Sequence, residues 1–256
     1  MQFHIQSTFR FSRFAAIVAA GIFTITTTIG AMAEDTATAK KNADPSGAWR
    51  WESDQQGQSV KHELKLNYDA KSNKVTGTYK GNGDPVQLND GKMDGNTLVI
   101  SMKMERDGVK VSIDTEAVID GDNIKAKSKY EAGGNTGSVE WDAKRSLLAP
   151  DLTGTWELEF ETDNGTMTAS LTVSAEGDKL KGEYSGFDGK FVTDAKEIQV
   201  KDGKLTFKIT ADRDGNILTA DYSVVPRGDS LKGKIKYEFN GNTGEIDVTG
   251  KLATKS

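Results

Sequence analysis

Cysteine is absent from the 256-residue chain. Its absence excludes disulfides, a thioether-linked lipid anchor, thiolate nucleophiles and sulfur ligands for metals. A chain without disulfides must draw its stability from buried apolar area, which favours domains of ordinary size over a small stapled scaffold. Histidine is almost missing too, with only His4 and His62. Past residue 33 only His62 remains, and one imidazole with no thiolate cannot furnish the nitrogen and sulfur ligands of a zinc site. A serine triad of the usual kind needs a histidine, so only the segment around His62 could hold one, and no G-x-S-x-G elbow is present. Excess positive charge is likewise absent: the net charge is -5. Phosphate binding relies on clustered Lys and Arg, so a nucleic-acid partner is not expected. No cofactor motif and no metal-ligand set is found.

Long apolar runs are lacking after the first 33 residues. Arg10 and Arg13 precede an apolar stretch from Phe14 to Gly30, which ends in Ala31-Met32-Ala33. Basic, apolar and small residues in that order predict a secretory signal peptide over 1–33, cleaved after Ala33. A retained anchor is the alternative, weakened by Thr24 and Thr26 to Thr28. Cleavage removes two arginines and no acid, and -5 - 2 gives a mature charge of -7. The expected location is periplasmic or extracellular, with no stable membrane insertion. Residues 34–45 are small and polar and predict a disordered lead-in.

What remains is written twice. Gly47-Ala48-Trp49 returns as Gly154-Thr155-Trp156, and Tyr130 returns as Tyr237, both at an offset of 107 (154 - 47 and 237 - 130). Lys74-Val-Thr-Gly-Thr-Tyr79 matches Lys179-Leu-Lys-Gly-Glu-Tyr184 at an offset of 105 (179 - 74). Equal ends with a shifted middle indicate tandem duplication of a unit large enough to enclose its own core. The expected organisation is one domain over 46–146, a linker over 147–151 containing Pro150, and a second domain over 152–256.

Within each unit the apolar residues recur with period two, the mark of strands with one buried face. Trp49 and Trp51 oppose Arg50; His62, Leu64 and Leu66 alternate with Lys61, Glu63 and Lys65. Asp107-Gly108, Asp120-Gly121-Asp122-Asn123, Asp202-Gly203 and Asp214-Gly215-Asn216 supply tight-turn chemistry between them. The fold class is therefore all-β, two tandem antiparallel meander barrels of about eight strands each, with β-sandwiches as the alternative. Gly134-Asn135-Thr136-Gly137 and Gly241-Asn242-Thr243-Gly244 repeat near the end of each unit and read as the last hairpin turn or as a shared binding loop.

The Gly-x-Trp opening each copy, the meander after it and a basic residue near each end resemble the calycin superfamily of lipocalins, fatty-acid-binding proteins and avidins. Lys74 to Tyr79 is similar to the Leu-Thr-Gly-Thr-Tyr strand of avidins. The chain also resembles the tandem lipocalin-like domains of secreted bacterial proteins. The likeness implies that Trp49 meets Arg145 across one barrel floor and that Trp156 meets Lys251 across the other. It implies no ligand, because the disulfides of many lipocalins and the later tryptophans with which avidins hold biotin are missing.

Candidate chemistry is weighed on the same faces. His62 lies between Val60 and Leu64 on an apolar face, either as a satisfied interior histidine or as a ligand contact or proton acceptor. Asp120 to Asn123 and Asp212 to Asn216 resemble calcium loops only faintly, since position 12 counted from Asp212 is Ser223 and not an acid. The pairs Asp114/Glu116 and Glu157/Glu159 point away from the apolar stripe, which disfavours a carboxylate-based hydrolase. Lys125, Lys127 and Lys129, like Lys232, Lys234 and Lys236, read as solvated outer rows. Small inner residues (Gly77, Ala117, Ala126, Ser128, Ala143) could leave room inside, where His62, Tyr79, Thr115, Ser128 and Tyr130, with Tyr184 and Tyr237 in copy two, could orient a polar group; equally, the Trp, Met and Ile side chains could fill the space. The leading expectation is an exported, non-enzymatic protein holding a small apolar or amphipathic ligand in one or both barrels. The second is an envelope module binding a protein or polysaccharide through its outer strand faces, and the third is the hydrolase.

Overall fold

The computed structural model describes residues 42–55, 57–106, 108–162, 165–186, 189–213 and 215–254. The leader at 1–33, residues 34–41 and the turn residues Asp107 and Asp214 lie outside the described residues. Residues 42–45, expected as the end of a disordered lead-in, are tied to the first barrel. Ala43 N–H donates to the Gly95 carbonyl at 2.7 Å, and the Asn42 amide donates to Tyr68 Oη at 2.8 Å.

The first barrel is a meander of β1 (Gly47–Gln55), β2 (Gln58–Asp69), β3 (Lys74–Lys80), β4 (Val86–Gln87), β5 (Asp90–Asp94), β6 (Thr97–Arg106), β7 (Val109–Asp120), β8 (Asn123–Ala132) and β9 (Asn135–Arg145). A short 3-10 helix, Ala149–Leu152, follows. The second barrel repeats the course with β10 (Gly154–Thr162), β11 (Gly165–Glu176), β12 (Lys179–Gly186), β13 (Phe191–Asp194), β14 (Lys196–Lys201), β15 (Lys204–Arg213), β16 (Asn216–Arg227), β17 (Ser230–Phe239) and β18 (Asn242–Thr254). Each forms one antiparallel nine-stranded sheet, in the orders β4-β3-β2-β1-β9-β8-β7-β6-β5 and β13-β12-β11-β10-β18-β17-β16-β15-β14. First and last strands pair, so the sheet curls on itself.

The count of about eight is nine in each copy because the segment between β3 and β6 divides in two. No ladder joins β4 to β5 or β13 to β14, so the barrels are curled sheets with a seam rather than fully laddered cylinders. Single backbone hydrogen bonds bridge the seam. Leu88 N–H donates to Gly77 O and Asn89 N–H to Ser101 O, both at 2.9 Å, and Ala195 N–H donates to Gly182 O at 2.8 Å. Gly77 gives its carbonyl to this closure, and its missing side chain serves the β2 side, where a Cβ would sit 1.9 Å from the Lys65 carbonyl oxygen. It marks a close backbone approach and adds no room to the interior.

The repeated tail motif is resolved by register. Ala132 pairs with Asn135, so Gly133-Gly134 is the two-residue turn, and Phe239 pairs with Asn242, so Asn240-Gly241 is its twin. Their φ angles are 57° and 84°, and 50° and 80°, as a type I′ hairpin requires. Asn135-Thr136-Gly137 and Asn242-Thr243-Gly244 are therefore strand and not loop. Tyr130 faces Gly137, and Tyr237 faces Gly244, across each ladder. A Cβ on either glycine would lie 2.4 Å from the tyrosine oxygen, so each ring lies over its bare glycine.

The barrels meet at their linker ends. The Asp151 carboxylate, 8 % exposed, accepts two 2.8 Å bonds from Arg50 and one 2.8 Å contact from Lys65. Asn67 and Asp229 exchange two bonds of 2.6 and 2.8 Å. Gly228 allows that approach, since a Cβ would fall 2.0 Å from Asn67 Oδ1.

Candidate functional site

Strand alternation sends the same positions of both copies inward, but the lower and upper halves of each barrel differ. The floor of barrel 1 is solid: Trp49, Leu64, Leu66, Leu98 and Ile124 are at most 1 % exposed, and Ala117, Ala126 and Ala143 are packed among them. These alanines therefore belong to the filled half. Trp49 Nε1 donates to the Pro45 carbonyl at 2.8 Å, and the Arg145 guanidinium carbon lies 4.0 Å from the Trp49 ring centroid. Arg145 also donates to Asp122 at 2.9 Å and to the Ser46 carbonyl. Burial and the nearby Arg227 lower its pKa, and Asp122 opposes them.

Barrel 2 departs from the expected pairing. Trp156 faces Leu252, while Lys251 sits opposite Glu157 with its side chain exposed. The ladder carries a register shift between Thr155 and Trp156, and the offset of 107 that links Trp49 to Trp156 maps Arg145 onto Leu252 (145 + 107). Trp156 keeps its own acceptor, the Leu152 carbonyl at 2.9 Å.

Above its floor, barrel 1 is hollow. A cavity of about 960 Å³ is lined by Trp51, Ser53, His62, Tyr79, Ile100, Met102, Ile113, Thr115, Ser128, Tyr130 and Trp141, among others, with Arg106 also on its wall. Six of these side chains form one continuous belt on successive strands β3, β2, β1, β9, β8 and β7. Tyr79 Oη is 2.8 Å from His62 Nδ1. The His62 ring stacks on Trp51 with centroids 4.9 Å apart and planes 13° from parallel. Trp51 stacks on Trp141 at 4.2 Å and 5°, Trp141 Nε1 donates to Ser128 Oγ at 2.9 Å, and Ser128 Oγ meets Thr115 Oγ1 at 2.7 Å. Rings on neighbouring strands that stack so nearly parallel stand out from the wall like pages, so their electropositive edges face the lumen.

His62 is the centre of the polar end. Its Nε2 lies 2.8 Å from Ser53 Oγ, so both ring nitrogens are hydrogen-bonded. Burial holds its pKa below the ordinary histidine value. Burial also raises that of Tyr79, against the opposing pull of Arg106. The structure thus brings His62, Tyr79, Thr115 and Ser128 together. Tyr130 lines the same cavity but is half-committed to covering Gly137. Ser53, Trp51 and Trp141 carry the belt as much as the residues singled out from sequence. Ser53 and Trp51 share the alternation of β1, and Trp141 shares that of Ala143 on β9, which could have found them.

Barrel 2 fills the equivalent space. Ladder positions match one for one: Trp51 faces His62 as Leu158 faces Ala169, and Thr115 faces Ser128 as Tyr222 faces Ile235. Ser53 corresponds to Phe160 and Trp141 to Val248 (53 + 107 and 141 + 107). Tyr222, large where Thr115 is small, donates across the lumen to Tyr184 at 3.0 Å. It stacks on Phe207 at 4.3 Å and 12°. Desolvation raises the pKa of both tyrosines. A pocket of about 220 Å³ remains, lined almost wholly by apolar side chains and by Tyr184 and Tyr237.

The outer faces carry the remaining candidates. Asp114, Glu116, Glu157 and Glu159 are all exposed, and Asp114 and Glu116 face Lys129 and Lys127. Lys127 pairs with Glu140 at 3.2 Å, and Lys234 pairs with Glu245. Asp122 is taken up by Arg145 and Arg227. Among the described residues no group of three or more His, Asp and Glu side chains converges to hold a metal ion, and no helix is long and apolar enough to cross a membrane.

No family model matches the chain, and no curated protein matches it. Among solved structures it is similar to a candidate outer membrane protein of Bacteroides fragilis, at 11 % identity and a TM-score of 0.31, over 81 % of this chain and 97 % of that one. It is also similar to a protein of unknown function of the DUF3598 family from Nostoc punctiforme, at 11 % identity and a TM-score of 0.28, over 82 % and 96 %. Likenesses that weak carry no argument about ligand or activity.

Proposed function

We propose that this is an exported, non-enzymatic binding protein in which barrel 1 holds one small amphipathic molecule in its upper cavity, while barrel 2 is a filled structural partner. One observation carries the reading. The belt Tyr79–His62–Trp51–Trp141–Ser128–Thr115 surrounds a cavity of about 960 Å³, and barrel 2 builds the same ladders with apolar or space-filling residues at most of those positions. The polar belt is therefore not needed to make the fold. A cavity of several hundred Å³ with apolar walls and a few convergent polar groups is the ordinary form of a small-molecule site. Export rests on the leader at 1–33.

The outer lysine rows support the second reading poorly. Acids on the flanking strands neutralise them in place, which leaves little net field for an anionic polymer. The carboxylate pairs lie outside the barrel, where no bond would be enclosed between them.

The experiment is a graft. Trp51→Leu, Ser53→Phe, His62→Ala, Thr115→Tyr, Ser128→Ile and Trp141→Val together give barrel 1 the belt residues of barrel 2. Native mass spectrometry and thermal shift against a panel of lipids and aromatic compounds should find a ligand for the native chain and none for the folded graft. A graft that binds as well as the native chain sinks the proposal.

A further inference from the structure

We propose that the occupant of barrel 1 is a carboxylic acid, captured as a carboxylate together with a proton on His62. The inference rests on the ligand reading above and names its chemistry.

His62 is an enclosed base without an acid of its own. The part-buried cations near the floor each have a carboxylate: Arg145 has Asp122, and Arg50 has Asp151. Around His62 stand Trp51 and Ser53 from β1, Tyr79 from β3 and Arg106 from β6, with no acidic side chain among them. The acids on the cavity rim, Glu52, Glu140 and Asp142, have exposed side chains. Copy two, which has Ala169 at this ladder position, shows that the fold does not require an imidazole here.

Proton counting then sets the ligand. With neutral His62, the row Ser53–His62–Tyr79 holds three protons and spends two on its internal hydrogen bonds, so one hydroxyl at one end can donate outward. With His62 protonated, both ring nitrogens donate, both oxygens accept, and both hydroxyl protons turn outward. The row then offers an outward donor at each end with a positive charge between them, and a carboxylate at either end takes one hydroxyl bond together with that charge. The Trp51 face stacked on the ring favours the charged imidazolium further. Arg106, on the same cavity wall, adds positive potential at Tyr79, where it pulls the phenol pKa down. The walls of Ile100, Met102 and Ile113 receive the apolar body.

Empty, His62 is neutral near pH 7 because burial holds its pKa down. A bound carboxylate raises it, so binding takes up a proton between the free and bound pKa values, and affinity falls as pH rises through the bound value. The test is calorimetric titration of the mature chain with 2-naphthoate, 2-naphthalenemethanol and 2-naphthylmethylamine at pH 6.0 and 8.0, in buffers of different ionisation enthalpy. We expect naphthoate to bind at least tenfold tighter than the alcohol at pH 6.0, with net proton uptake and a preference that shrinks at pH 8.0. His62→Gln should keep alcohol binding and lose both the preference and the proton uptake. Ser53→Ala and Tyr79→Phe should each weaken naphthoate more than the alcohol. Alcohol or amine binding as tightly as naphthoate, or a preference that survives in His62→Gln, overturns the proposal and leaves the ligand cavity standing. Failure of all three probes, together with a negative ligand screen, removes both.

Discussion

Barrel 1 and barrel 2 share one meander, one pairing order and one floor tryptophan, yet one is hollow and hydrogen-bonded inside while the other is filled. Thr115 and Tyr222 sit at the same ladder position. The threonine stays at the wall with Ser128; the tyrosine crosses the lumen to Tyr184. The duplication therefore separates what the fold requires from what has been added to it. Shared residues (Trp49 and Trp156, Leu64 and Leu171, Gly77 and Gly182, Tyr130 with Gly137 and Tyr237 with Gly244) make the barrel. Divergent ones (His62 against Ala169, Ser53 against Phe160, Trp141 against Val248) make the cavity.

Breaking the shared part should hurt both copies alike. Trp49→Ala and Trp156→Ala each remove a fully buried indole, and each should cost about 3–5 kcal/mol in its own barrel. Scanning calorimetry of the full chain would show whether the losses match.

Breaking the divergent part should hurt only one. Tyr222→Thr gives barrel 2 the small residue of barrel 1, removes the bond to Tyr184 and the stack on Phe207, and should cost about 2–4 kcal/mol. The new space should admit an apolar probe such as xenon or benzene, detectable in a crystal. Should the barrel collapse to fill the space, the tyrosine is not what keeps the two interiors different.

The contact between the linker and barrel 1 should respond to acid. Burial alone would raise the Asp151 pKa, but the bonds from Arg50 and Lys65 outweigh it and the net shift is downward. Its contribution is therefore present above the ordinary carboxylate value near 4 and lost as pH falls through the lower folded value. Asp151→Asn should cost about 1–3 kcal/mol at pH 7, discounted for the partial exposure of Arg50 and Lys65, and should shrink the stability difference between pH 7 and pH 3. Equilibrium denaturation at both values measures it.

The smallest effect tests the repeated tail. Gly137→Ala and Gly244→Ala each force a tyrosine ring off its glycine and should cost about 1 kcal/mol, equally in both copies. A cost in copy one alone would mean that Tyr130 has a task at the cavity beyond covering the strand.

Much of the fold was legible because its signals are local. Alternation along Thr97–Arg106 and Val109–Asp120 gives strands, Asp-Gly and Asn-Gly give hairpins, and a fixed offset gives the duplication. The four residues that converge in the cavity, His62, Tyr79, Thr115 and Ser128, were already legible as polar groups on an apolar face. Errors arose where the answer depends on register between distant strands. Lys251 is basic and near the chain end, but one step along β18 puts it outside and Leu252 inside. The tetrapeptide after Tyr130 looks like a turn, yet only its first glycine turns.

By itself the sequence determined the all-β class, the two copies and which faces point inward, since period and turn chemistry act over a few residues. Only the tertiary structure decided which inward residues meet. It set Tyr79 beside His62 and Ser128 beside Trp141, placed the alanines in the floor rather than around the cavity, and drew Asp151 between Arg50 and Lys65. Those contacts join residues far apart along the chain, and the stagger of neighbouring strands fixes them.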